Sequence, residues 1–99
     1  MTKFQGVSFH REAIDQVNLA SARLGNDYGE TDRALARIAV RHSFKAGNCH
    51  TPDANPISEI RDRLGDDEIH QQAFALMQLS EEVASLALHA YRAGQDFDG

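Results

Sequence analysis

Cysteine is nearly absent from this chain, with Cys49 standing alone. A lone thiol excludes an internal disulfide framework and fits a reducing compartment, so the cytoplasm is the expected location. Long apolar runs are missing too. No window approaches the roughly 20 apolar residues that a membrane-spanning helix needs, so no membrane partner is expected. The opening MTKFQGVSFHREAID lacks an apolar core followed by a small-residue cleavage site, and does not read as a secretory leader. Basic residues are in the minority: ten Lys and Arg face fifteen Asp and Glu, for a formal charge of -5. Nucleic acid is therefore disfavoured, because a phosphate-binding face needs clustered cations to displace counterions. There is no internal repeat, no heptad run, no low-complexity segment and no glycine-rich phosphate loop.

What is present is helical periodicity. With 41% apolar and 25% charged residues over 99 positions, the chain reads as one globular domain, 1–99, able to bury about 65% of its unfolded surface. In a first helix, with Ser8 as a possible cap, Ile14, Val17, Ser21 and Leu24 recur at the three-and-four spacing of one face. Phe9 and Ala13 extend that face, and Gly25-Asn26-Asp27 stops the helix. Thr31 reads as the cap of a second helix from Asp32 to about Lys45. Leu35, Ile38, Ala39 and His42 lie on its inner face, with Phe44 at the margin. Arg33, Arg37 and Arg41 lie opposite and, with Lys45, form a basic row. Gly47-Asn48 is the expected end.

Both prolines fall in the one sizeable loop, GNCHTPDANP, residues 47–56. Asn55 and Pro56 suit the cap and first position of a short third helix, which carries Ile57, Ile60 and Leu64 on one side and ends at Gly65. From Asp67 to Ala93 the pattern predicts a single long helix capped by Asp66. Its stripe is Ile69, Ala73, Leu76, Ser80, Val83, Ala87 and Ala90, and Gly94 closes it. The ends, about 1–7 and 95–99, are expected to fray. The fold class is thus all-α: a small bundle of three main helices plus one short helix, with a long C-terminal helix.

That last helix, roughly 40 Å long at 1.5 Å per residue, outruns any single neighbour. Leu79, Val83, Leu86, Leu88, Ala90 and Tyr91 therefore form the expected protein-binding face, and Arg33, Arg37 and Arg41 would set orientation. The partner is a second copy, giving a homodimer, or another protein. No cofactor is expected, and no enzymatic signature rises above this reading. Ser43, Ser58, Ser80 and Ser85 lie in predicted helices without a nucleophile elbow, and the neighbours Cys49 and His50 do not by themselves orient one as base for the other.

Two alternatives rest on histidine. The segment His42-Ser43-Phe44-Lys45-Ala46-Gly47 resembles the phosphoacceptor motif of histidine phosphotransfer domains, over about six residues. The resemblance implies that His42 would accept and pass on a phosphoryl group, with Lys45 offsetting its charge, in a four-helix bundle that docks a receiver domain. Ala46 stands where that motif has glycine, and Gly47 comes one place late. The second alternative is a metal held by His42, Cys49, His50 and His70. None of the short fixed ligand spacings of zinc sites occurs, so only folding can assemble such a set.

Overall fold

The computed structural model describes residues 7–49 and 55–97. Five helices follow in order: α1 (Val7–Arg23), α2 (Glu30–Asn48), α3 (Pro56–Leu64), α4 (Glu68–Leu79) and α5 (Glu81–Asp96). Among the described residues there is no strand, and no helix is long and apolar enough to cross a membrane. The all-α class holds, with one core shared by all five helices.

The architecture is organised by α2, which packs against each of the other four helices and most extensively against α5. A helix wrapped on several sides cannot keep a single apolar stripe. Its buried residues are Ala36, Ala39, Val40, Ser43, Phe44, Ala46 and Gly47. Most are small, which lets neighbouring backbones come close. Of the expected face, Ala39 is fully buried, while Leu35, Ile38 and His42 are half-buried and Ala36, Val40 and Ser43 take the centre with Ala39. Ser43 avoids a desolvation penalty by donating its hydroxyl to the Ala39 carbonyl at 2.6 Å.

Gly47 does not end α2. It lies inside the helix, where α2 crosses α5. A Cβ at Gly47 would press into the Tyr91 carbonyl and stand 3.1 Å from Tyr91 Cα; one at Gly94 would press into the Phe44 carbonyl and stand 2.9 Å from Asn48 N. The two glycines are therefore a matched pair that lets two backbones touch. Asn48 completes the junction by donating from Nδ2 to the carbonyls of Gly94 (3.1 Å), which also accepts from Phe97 N, and Phe97 (2.9 Å) at the end of α5. Phe97 turns in against Phe9 and Phe44, with ring centroids 5.8 and 5.9 Å away. The expected fraying from residue 95 is corrected accordingly: α5 continues to Asp96 and Phe97 is half-buried.

The single C-terminal helix is also corrected. It is two helices that meet at Ser80, whose backbone (φ -116, ψ 115) is extended. The Ser80 hydroxyl accepts from Val83 N at 3.2 Å, and Glu81 and Glu82 follow in the first turn of α5, where the helix dipole favours negative charge. The corner is held from outside as well. Tyr28 Oη and Ser80 Oγ share a hydrogen bond of 2.6 Å, and Gly25 N donates to Glu82 at 3.1 Å, so the α1–α2 loop is pinned to the α4–α5 corner. Bending at Ser80 returns both halves to α2 and removes the uncovered length that a straight helix would have had.

Elsewhere the caps mostly follow the sequence. Asn55 Oδ1 accepts from Ile57 N (2.8 Å) and Ser58 N (3.3 Å), Pro56 opens α3, and Gly65 ends it at φ 76. Ile60 and Leu64 are buried as expected. The cap of α4 is Asp67 rather than Asp66, and that of α2 is Gly29, which offers no side chain, rather than Thr31. The buried line of α1 is Phe9, Ala13 and Ala20, continued by Leu24 just past its end, and Ile14, assigned to the core by spacing, is 59% exposed.

Candidate functional site

The expected C-terminal binding face is largely inside the molecule. Val83 and Ala90 are fully buried, Tyr91 is 2% exposed and Leu86 9%. A partner docking on the folded chain does not reach them. Tyr91 donates its hydroxyl to the Glu59 carboxylate of α3, and burial, followed by that hydrogen bond, pushes the phenol up to about 12. Leu88 is half-buried, and Leu79, at the outside of the Ser80 corner, is 85% exposed. One exposed leucine is ordinary and makes no patch by itself.

The arginine row divides by role. Arg33 turns back onto the end of α1, where its guanidinium donates to the carbonyls of Ser21 (3.1 Å), Leu24 (3.3 Å), Gly25 (2.7 Å) and Tyr28 (3.2 Å). It thereby fills the C-terminal acceptor positions of α1 and belongs to the fold. Arg37 and Arg41 remain exposed and border a groove between α1 and α2. One end of that groove is a cavity of about 350 Å³ lined by His10, Ala13, Ile14, Val17 and Arg41. The other, about 320 Å³, is lined by Val17, Ala34, Arg37, Ile38 and Arg41. Val17 and Arg41 belong to both, so the two cavities are one furrow with apolar walls and two guanidinium groups along its edge. The sequence held a clue: Ile14 adds a second apolar direction to α1 beside the Ala13 and Ala20 line.

His42 lies on the other side of α2. Its ring is half-buried and packs on His70 of α4, with ring centroids 4.8 Å apart and planes at 55°. His70 is oriented by a 2.8 Å hydrogen bond between Nδ1 and the Leu64 carbonyl; since a carbonyl only accepts, His70 Nδ1 carries the proton. His42 Nδ1 is buried without a partner. Burial first, and then the positive charges of His70, Lys45, Arg41 and Arg63, push the His42 pKa down to about 4, so the imidazole is neutral at pH 7. Lys45, half-buried, is held below the ordinary lysine range by burial and by Arg41 and Arg63. A phosphoryl acceptor needs an imidazole open to its donor, and His42 is partly covered by His70.

Of the proposed metal ligands, His42 and His70 come together, with ring centroids 4.8 Å apart. Among the described residues no three His, Cys, Asp or Glu side chains are grouped to hold an ion, and His50 lies outside the described residues. Cys49 is exposed, with Arg63 Nη1 4.0 Å from its sulfur. The candidate serines are structural: Ser43 is tied to its own helix and Ser80 is a cap. Comparison of the chain with protein-family models, with curated proteins and with solved structures finds no match, so the reading of these sites rests on their own chemistry.

Proposed function

We propose that this chain is a non-enzymatic interaction module of the cytoplasm that self-associates, its docking face being the α1–α2 furrow rather than the buried C-terminal helix. The observation that carries the reading is Ile14: a large β-branched side chain, 59% exposed, beside an apolar furrow on a helix that packs chiefly on α2. A second copy is the occupant that accounts for both halves of this surface. In a two-fold arrangement the same patch meets itself, so Ile14 of each copy enters the furrow of the other. Asp15, exposed beside Ile14 on α1, then faces the Arg37 and Arg41 edge of the opposing copy, which gives the pair opposite charges around an apolar centre. The exposed, unpaired thiol of Cys49 fits the cytoplasmic assignment.

Light scattering across a wide concentration range tests this. The expected result is a mass rising to twice that of the monomer. Ile14→Asp should return it to the monomer mass without altering the circular dichroism spectrum, since Ile14 is not part of the folded core. A wild type that stays monomeric throughout rejects self-association, and an unfolded Ile14→Asp protein rejects the assignment of Ile14 to the surface.

A further inference from the structure

The junction of α2, α3 and α4 gathers basic groups that, among the described residues, make no ion pair with a carboxylate. On α2, His42, Lys45 and Cys49 are three and four residues apart and share one face. Two consecutive residues of α3 close over the two ends of this face. Arg63 reaches the last turn of α2, with Nη1 4.0 Å from Cys49 Sγ, and Cys49 N bonds the Lys45 carbonyl at 3.2 Å. The Leu64 carbonyl holds His70, whose ring covers His42. Lys45 therefore stands between an imidazole pair on one side and a guanidinium on the other, and Arg41 is one turn earlier on α2.

A chain of net charge -5 has enough carboxylates to neutralise such a cluster if repulsion were its only consequence. Among the described residues, however, Arg41, Lys45 and Arg63 form no ion pair with a carboxylate. Two acids, Glu59 and Asp62, line a cavity of about 280 Å³ together with Ala46, Cys49 and Arg63. Of these, Glu59 already receives the Tyr91 hydroxyl. Three cations drawn from two helices stand near a His42 Nδ1 that is buried without a hydrogen-bond partner, and their mutual repulsion favours a bound anion.

We propose that this junction binds a small tetrahedral oxyanion, as inorganic phosphate or as the phosphate of a small phosphomonoester, through Lys45, Arg63 and the His42–His70 pair. A planar guanidinium and an ammonium on either side of the anion supply charge-assisted donors of two different geometries. His70 is locked through Nδ1, which leaves its Nε2 without a role in that bond. Bound anion also favours the protonated form of His42, reversing the effect of the cations around it. Apart from Arg41, which also edges the α1–α2 furrow, the residues named for the anion are separate from those named for self-association, and anion binding is read out separately.

The test is titration of the full chain, in a non-phosphate buffer, with inorganic phosphate and separately with glycerol 3-phosphate. Binding is followed by amide and imidazole NMR shifts, against sodium chloride at matched ionic strength. Saturable shifts at His42, Lys45, Arg63 and His70, with a rise in the His42 pKa that chloride does not produce, are expected. The tighter of the two probes identifies the source of the phosphoryl group. Arg63→Gln should weaken binding by about tenfold, the value of one charge-assisted hydrogen bond. Arg61→Gln removes the same charge from an exposed site on the same helix and should change little. Shifts that merely follow ionic strength, or an Arg61→Gln loss equal to that of Arg63→Gln, would overturn the proposal.

Discussion

Replacing Gly47 by alanine tests the contact on which the fold depends most. In an isolated helix the change is favourable by about 1 kcal/mol, because glycine is the poorer helix former. Here the added methyl would meet the backbone of α5, 2.8 Å from Tyr91 C and 3.1 Å from its Cα, where carbon pairs prefer about 3.5–4.0 Å. A flexible side chain could turn aside, but a helical carbonyl cannot. The helices must part by roughly 1 Å, loosening the packing of Phe44, Ala87, Ala90 and Tyr91. Overpacking of this kind costs about 1–3 kcal/mol and occasionally more, and a backbone obstacle puts it at the upper end. The expected net loss is about 2–3 kcal/mol, a fall in Tm of about 10–20 °C for a domain of this size. Thermal melts followed at 222 nm read it directly. Gly25→Ala serves as the control: nothing lies within 4 Å of its Cβ position and its φ is not positive, so that variant should melt within a few degrees of wild type. Because Gly47 and Gly94 meet the same pair of backbones, the double alanine variant should cost less than the sum of the singles. A Gly47→Ala protein as stable as wild type would refute the close crossing of α2 and α5.

Two further outcomes follow from the Ser80 corner and from His42. Ser80→Ala removes the cap of α5 and the partner of Tyr28 together, and should cost about 1–2 kcal/mol in urea unfolding; an unchanged midpoint would mean that the corner is held by packing alone. The folded-state pKa of His42, about 4, lies below its ordinary value of 6.5, so between these values the unfolded chain takes up the proton first. Stability is full above pH 6.5 and declines as the pH falls through 6.5 towards 4. The imidazole is only half-buried, so screening reduces the expected loss to about 1–2 kcal/mol. His42→Gln should flatten that part of the pH profile, and a limb equally steep in the variant would assign it to other groups.

The candidate sites were less legible than the helices. The row Arg33, Arg37 and Arg41 was visible as a spacing, but spacing cannot distinguish a residue bound to the end of the preceding helix from two that remain open. Arg33 is diverted because the α1–α2 turn brings four carbonyls within its reach. Arg63 had no signal at all, since its relation to Lys45 and His42 arises only when α3 folds across the last turn of α2. Leu86 and Tyr91 looked surplus to a small core because the helix carrying them was read as straight. The turn at Ser80 brings them back to α2, and its signal, a serine followed by Glu81 and Glu82, lay within an otherwise continuous apolar pattern.

By itself the sequence determined the all-α class, the approximate positions of most helices, and the local ends that are made by one residue and its neighbours. Asn55 with Pro56, Gly65 and the acidic start of α4 are of this kind, because capping is a contact between groups a few residues apart and its geometry is encoded locally. Which residues of α1 and α2 lie deepest was decided only by tertiary structure, whereas Ile60 and Leu64 of α3 and Val83, Ala87 and Ala90 of α5 are buried as their spacing predicts. On α2 the expected Ala39 is joined at the centre by Ala36, Ser43 and Gly47, residues that suit a crossing by small volume rather than by hydrophobicity, and a hydrophobic pattern passes over these three. The same crossing turned Gly47 and Gly94 from expected helix ends into the points where two helices touch. Local energetics favours termination at glycine by about 1 kcal/mol per residue, and close packing of two long helices outweighs it.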